Sequence, residues 1–168
     1  MKSFKLYLYG LVTRWIPETK GFALKRGLLR WCGAKIGKNV RINSSARILG
    51  VGGLEIGDDS YINVGCIIYA AGGSSIRIGR NCDLAPRVTI VTGSHEISTD
   101  KEGHIAGRGV AKSIEIGDGS WLCANSTILS GVMLASQTIV AAGAVVIKSC
   151  DAPRSLLAGV PAGVKKQV

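Results

Sequence analysis

The chain is poor in the residues that build most metal sites and cross-linked folds. It holds two histidines, His95 and His104, in 168 residues, too few for a His-rich metal site within one subunit. Its five cysteines (Cys32, Cys66, Cys82, Cys123, Cys150) are odd in number and show no Cys-x-x-Cys spacing. That excludes a disulfide frame and a zinc site, and points to reduced thiols in a cytoplasmic compartment. Aromatics make up only 5%. No apolar run approaches the roughly 18 residues of a membrane span. The apolar stretch at residues 6–12 is interrupted and has no small-residue cleavage site behind it, so no secretory signal is read.

What is abundant is glycine, with 23 residues, and β-branched residues, with 18 Ile and 14 Val. This mixture reads as short strands joined by many turns. A hydrophobic share of 46% excludes a disordered chain, and 168 residues suit one domain. The net charge is +10. Residues 1–35 hold eight Lys or Arg against one acid, Glu18, and so carry most of it. The remainder is nearly balanced, which argues against nucleic acid as a partner.

An internal repeat organises the chain. The fragments Ile36-Gly37-Lys38-Asn39, Ile56-Gly57-Asp58-Asp59, Ile78-Gly79-Arg80-Asn81 and Ile116-Gly117-Asp118-Gly119 are related. Steps of six from each start give Ile36, Ile42, Ile48; Ile56, Ile62, Ile68; Ile78, Leu84, Ile90; Ile116, Leu122, Ile128; and Leu134, Val140, Val146. All fifteen are aliphatic, where composition alone gives about four. The residue four places after each is small or compact: Val40, Ala46, Gly52, Ser60, Cys66, Gly72, Cys82, Val88, Ser94, Ser120, Ser126, Val132, Thr138, Ala144 and Cys150. Three of the cysteines therefore read as small core fillers. The pattern predicts a coil with three flat sides. Each hexapeptide supplies a strand and a corner, and successive turns stack in parallel at about 4.8 Å. The repeat breaks over residues 96–113, a long polar segment ejected from the coil, of the kind that usually carries function.

The aliphatic-x-x-x-small hexapeptides resemble those of the hexapeptide-repeat acyltransferases. The run from Leu84-Ala85-Pro86-Arg87 to Thr92-Gly93-Ser94-His95, the later Ile116-Gly117-Asp118-Gly119-Ser120-Trp121 and the tail Ala158-Gly159-Val160-Pro161-Ala162 look like the galactoside, maltose and nodulation-type O-acetyltransferases. The resemblance covers about residues 36–166. It implies an all-β solenoid, a left-handed parallel β-helix assembled as a homotrimer. It also implies acetyl transfer from acetyl-CoA to a sugar hydroxyl, without a metal.

On that resemblance His95 is the general base; out of context it would read as a polar corner residue. Asn63 and Trp121 match acceptor-site positions, Asn63 being equally readable as a turn residue. Ala124 and Ala142 match positions whose backbone holds the pantetheine arm. They are 18 residues apart, one full coil, so the spacing itself stacks them. Ile147, Lys148, Lys165 and Lys166 match the region near the adenine-nucleotide end, where phosphates favour cations. The family's Asp pair falls near Ala70 and Ala71, a second Asn at Gly65, an acceptor-site Ser near Leu49, and a basic residue at Gly163. Acceptor recognition is therefore rewritten, and a simple galactoside or maltose is not expected. A γ-type carbonic anhydrase of this fold needs three His ligands per metal and is set aside. An N-acetyltransferase on an amino sugar and a non-catalytic β-helix subunit remain as alternatives.

Residues 1–35 precede the repeat. Phe4, Leu8, Leu11 and Trp15 recur at helical spacing, as do Leu24, Leu28 and Trp31, with Pro17 between the two segments. The basic, amphipathic character reads either as a peripheral membrane-surface anchor or as a cap over the open coil end, and the two are compatible. This end resembles capsule and O-antigen O-acetyltransferases, which implies a surface-polysaccharide sugar or its precursor as acceptor. The β-helix with its tail at 152–168 then forms residues 36–168.

Overall fold

The structure, a computed structural model, describes residues 1–98, 103 and 105–168. His104 and the centre of the 96–113 segment lie outside the described residues. The repeat folds into a left-handed parallel β-helix of about five coils. Its first face stacks Lys35–Ile36, Gly53–Ile56, Ser75–Ile78, Ile114–Ile116 and Met133–Leu134. The second stacks Arg41–Ile42, Tyr61–Ile62, Asp83–Leu84, Trp121–Leu122 and Ile139–Val140, and is extended by a terminal hairpin of Ser155–Gly159 and Ala162–Gln167. The third stacks Arg47–Leu49, Ile67–Tyr69, Thr89–Val91, Thr127–Ile128 and Val145–Val146.

All fifteen aliphatic positions point inward, none more than 6% exposed. The register puts like on like, Ile42 beside Ile62, Leu84 beside Leu122, and Ile128 beside Val146. The small column is buried at thirteen of its fifteen positions, and two differ. Gly72 is exposed because two extra residues enlarge that corner, and Ser74 fills the interior instead. Ser94 is exposed because the chain has already left the coil, and Thr92 is the buried residue there. The Thr92 and Ser74 hydroxyls meet at 2.7 Å, so these two buried hydroxyls pair with each other.

Two corner columns require backbone turned to positive φ: Asn39, Asp59, Asn81, Gly119 and Gln137 in one, Gly65, Arg87, Asn125 and Gly143 in the other. Glycine and asparagine visit this region most readily, which is why they recur there.

The ejected segment is not a plain loop. It leaves at Gly93 and forms an antiparallel hairpin of Gly93–Ile97 with Ala106–Ala111. Before the coil stand two helices, α1 (Ser3–Thr13) and α2 (Phe22–Trp31). The buried face of α1 is Leu6, Tyr9 and Thr13, and that of α2 is Lys25 and Leu29. Of the residues spaced helically in the sequence, Phe4, Leu11 and Trp15 face solvent, as do Leu24 and Trp31 of the second helix. The helix is apolar on two sides, and periodicity alone does not say which side the coil covers. The two helices close the first coil. Arg30 donates to the Ile36 carbonyl at 2.8 and 2.6 Å and to that of Gly37 at 2.9 Å, and Arg26 donates to Val40 at 3.1 Å. Carbonyls at the coil's open edge thus gain donors in place of a preceding turn.

Candidate active site

His95 stands at the corner where the third face turns toward the first. Its Nδ1 lies 2.8 Å from the Gly107 carbonyl across the hairpin. A carbonyl only accepts, so Nδ1 carries the proton and Nε2 is left as the basic nitrogen. The Glu96–Arg108 ion pair, 3.1 Å, ties the same two strands. His95 opens on a cavity of about 420 Å³ lined by Tyr69, Ala71, Gly93, Ser94 and Val110, among others. The Tyr69 ring lies against Gly93, where a Cβ would stand 3.3 Å from it. Tyr69 and Gly107 escaped the reading of the sequence. Tyr69 occupies an outward repeat position with no distinguishing spacing, and a backbone carbonyl leaves no mark in sequence.

The next corner, between the second and third faces, carries Asn63, Ala124 and Ala142. The Asn63 Oδ1 accepts from the Val64 amide at 2.9 Å and from Asn43 Nδ2 at 3.1 Å. Half-buried, it is held as a turn residue and keeps its amide group for outward donation. Ala124 and Ala142 stack as expected, the Gly143 amide donating to the Ala124 carbonyl at 2.9 Å. The Val64 amide of that column is satisfied by Asn63, and Pro86 has no amide hydrogen. Among the described residues the Ala124 and Ala142 amides find no protein acceptor. Two unpaired N–H groups one coil apart, beneath methyl side chains, suit an extended chain bearing its own carbonyls.

Outward residues of the second face form a ladder of Arg41, Tyr61, Asp83 and Trp121. The Arg41 guanidinium lies 4.4 Å from the Tyr61 ring centre. Burial raises the Asp83 carboxyl above its ordinary range while Arg41 pulls it back. Trp121 is half exposed, and Lys165 and Lys166 lie exposed on the terminal strand of this face. Ile147 and Lys148 are exposed at the His95 corner, two coils further on.

The candidate residues therefore divide. His95, Ile147 and Lys148 share one corner, Asn63, Ala124 and Ala142 the next, and Trp121 lies on the face opposite the first corner. One triangular coil does not bring Trp121 to His95. No cluster of three or more potential metal ligands occurs among the described residues.

No protein-family model matches the chain. It is 35% identical over 116 residues, 68% of its length, to a yeast (Saccharomyces cerevisiae) protein named as an acetyltransferase, YJL218W, and that match spans 56% of the yeast protein. It is 32% identical over 138 residues to an Escherichia coli K12 protein named as a colanic acid biosynthesis acetyltransferase, WcaF, covering 82% of this chain and 71% of the relative. A hexapeptide-repeat acetyltransferase of Vibrio cholerae, solved with acetyl-CoA, superposes with a TM-score of 0.78 over 98% of this chain and 86% of that one. At 24% identity that likeness speaks for the fold.

Proposed function

The chain belongs to the hexapeptide-repeat acetyltransferases, and from that premise we propose that it moves acetyl from acetyl-CoA to a sugar hydroxyl with His95 as general base. The acceptor is a sugar of a surface polysaccharide or of its precursor, a class supported by the name of the Escherichia coli relative. The observation that carries the reading is the Nδ1 contact of His95 with the Gly107 carbonyl, which leaves Nε2 free at the mouth of a cavity.

The acceptor oxygen attacks the thioester carbonyl carbon while Nε2 takes the hydroxyl proton. The tetrahedral intermediate collapses, the carbon–sulfur bond breaks, and the imidazolium returns the proton to the leaving sulfur. An acetyl ester and free CoA result, and no covalent enzyme intermediate is needed. The unpaired Ala124 and Ala142 amides meet carbonyls of the pantetheine arm. Ile147 packs near the nucleotide end, and Lys148, Lys165 and Lys166 offset its phosphates. Asn63 and Trp121 receive the acceptor. The working form is a homotrimer in the cytoplasm, in which the His95 corner of one copy faces the Trp121 face of the next.

The test follows free-thiol release from acetyl-CoA across a panel of sugar and sugar-nucleotide acceptors. A positioned base is worth about 10²–10⁴ in rate, so His95→Ala falls by that factor while the protein stays folded. Undiminished activity in this variant overturns the base assignment. Mass spectrometry of the product before and after mild alkali separates a labile ester from the stable amide of an N-acetyltransferase.

A further inference from the structure

The solvent-facing side of α1 is not a polar surface. Phe4, Tyr7 and Leu11, spaced as i, i+3 and i+7, form a stripe opposite the buried Leu6, Tyr9 and Thr13. Phe4 is 71% exposed and Tyr7 63%. Trp15, just past the helix end, is 88% exposed. A contiguous apolar patch of this kind signals a partner.

The charges around it select the partner. Arg26 and Arg30 are held by coil carbonyls, Lys25 by the Glu18 carbonyl and Ser44, and Lys35 by Glu55. Lys5 is drawn over the Trp31 ring and donates to its carbonyl. Lys2, Arg14 and Lys20 are exposed and have no partner among the described residues. The single acid of the region, Glu18, is bound to the Ser45 amide. The stripe is thus bordered by uncompensated positive charge. A second copy meeting it face to face would set like charges together, whereas an anionic lipid surface neutralises them. Eleven helical residues span about 16 Å, too short to cross a bilayer of about 30 Å. No helix among the described residues is long and apolar enough to cross.

We propose that α1 and Trp15 form an interfacial anchor for an anionic bilayer. Phe4, Tyr7, Leu11 and Trp15 enter the headgroup boundary, and Lys2, Arg14 and Lys20 pair with lipid phosphates. The inference stands apart from the acetyl-transfer reading, because none of these residues belongs to the proposed site.

The test is co-sedimentation of the full chain with phosphatidylcholine vesicles, either pure or containing about 30% phosphatidylglycerol. The protein should pellet with the anionic vesicles and remain in solution with the neutral ones. About 0.5 M salt, which screens beyond a few ångströms, should release much of it. Each basic residue near such a surface is worth about 1 kcal/mol, so Lys2→Gln, Arg14→Gln and Lys20→Gln together should cut partitioning about a hundredfold. Phe4→Ala with Trp15→Ala should also release the protein, leaving its thermal midpoint and acetyl-CoA turnover unchanged. Equal binding to neutral vesicles, or binding indifferent to both sets of variants, overturns the proposal. So does a change of oligomeric state in the Phe4/Trp15 variant without vesicles, which would make the stripe a subunit contact.

Discussion

Cys66 fills a corner of the second coil with no exposure, its thiol directed at the Ala85 carbonyl 3.2 Å away. Burial pushes its pKa from 9.0 up to about 11, outweighing the amides that favour the thiolate. The folded state therefore holds the thiol proton after the unfolded chain has lost it. Its contribution is complete below pH 9 and is lost as pH rises toward 11. At about 1.4 kcal/mol per pKa unit, two units amount to about 3 kcal/mol. Cys66→Ala should cost about 1 kcal/mol at neutral pH, and between pH 9 and 11, where only the parent loses stability, the gap should close and then reverse so that the variant becomes the more stable. Denaturant unfolding across that range reads the effect, and a constant gap would refute it. At this scale the sequence was legible where a side chain has one job. Every aliphatic position and the three cysteines of the small column, Cys66, Cys82 and Cys150, are buried as their spacing required. The Gly107 carbonyl that fixes the His95 tautomer was not legible, since backbone groups carry no residue code.

The corner is the element that the repeat depends on, and its glycines are there for contact. A Cβ on Gly57 would stand 2.7 Å from the Arg80 amide and the Gly79 carbonyl carbon, both backbone of the next coil. Neither neighbour can turn aside without opening the ladder. Gly27 in α2 has nothing within 4 Å of the same position. Gly57→Ala should therefore destabilise by about 1–3 kcal/mol or more through overpacking. Gly27→Ala should stabilise by about 0.5–1 kcal/mol through helix propensity. Opposite shifts of the two unfolding midpoints test this, and a harmless Gly57→Ala would mean that the coils are not in such contact. The same contrast explains what the pattern hid. Coil corners announce themselves because one geometry recurs at every turn, with Asn, Asp or Gly at that offset in all but Arg87 and Gln137 of the two columns. The helices occur once. Leu6 and Tyr9 were no more apolar than Phe4 and Leu11, and only docking on the first coil decides which pair is covered.

A solenoid has two open ends and three exposed faces, and the chain treats them differently. Basic side chains of α2 close the first edge, so part of the N-terminal charge is explained by backbone satisfaction. The faces remain flat, and the proposed site residues are shared among two corners and one face. The coil repeat was readable from one sequence because it is periodic, whereas a neighbour's position is recorded by no period. The division nevertheless has a measurable consequence. If the working form is a trimer of three times 17.6 kDa, a heterologous ring brings the His95 corner of each copy to the Trp121 face of the next. His95→Ala and Trp121→Ala chains should then each be nearly inactive alone. Mixed from unfolded chains in equal amounts, they assemble trimers in which some contacts pair an intact His95 with an intact Trp121. Random assembly makes about one contact in four of that kind, so activity should return to about a quarter of the parent's. A site built within one chain predicts no recovery at any mixing ratio, because every copy then carries a defect. Light scattering on the mixture ensures that a null result comes from intact trimers.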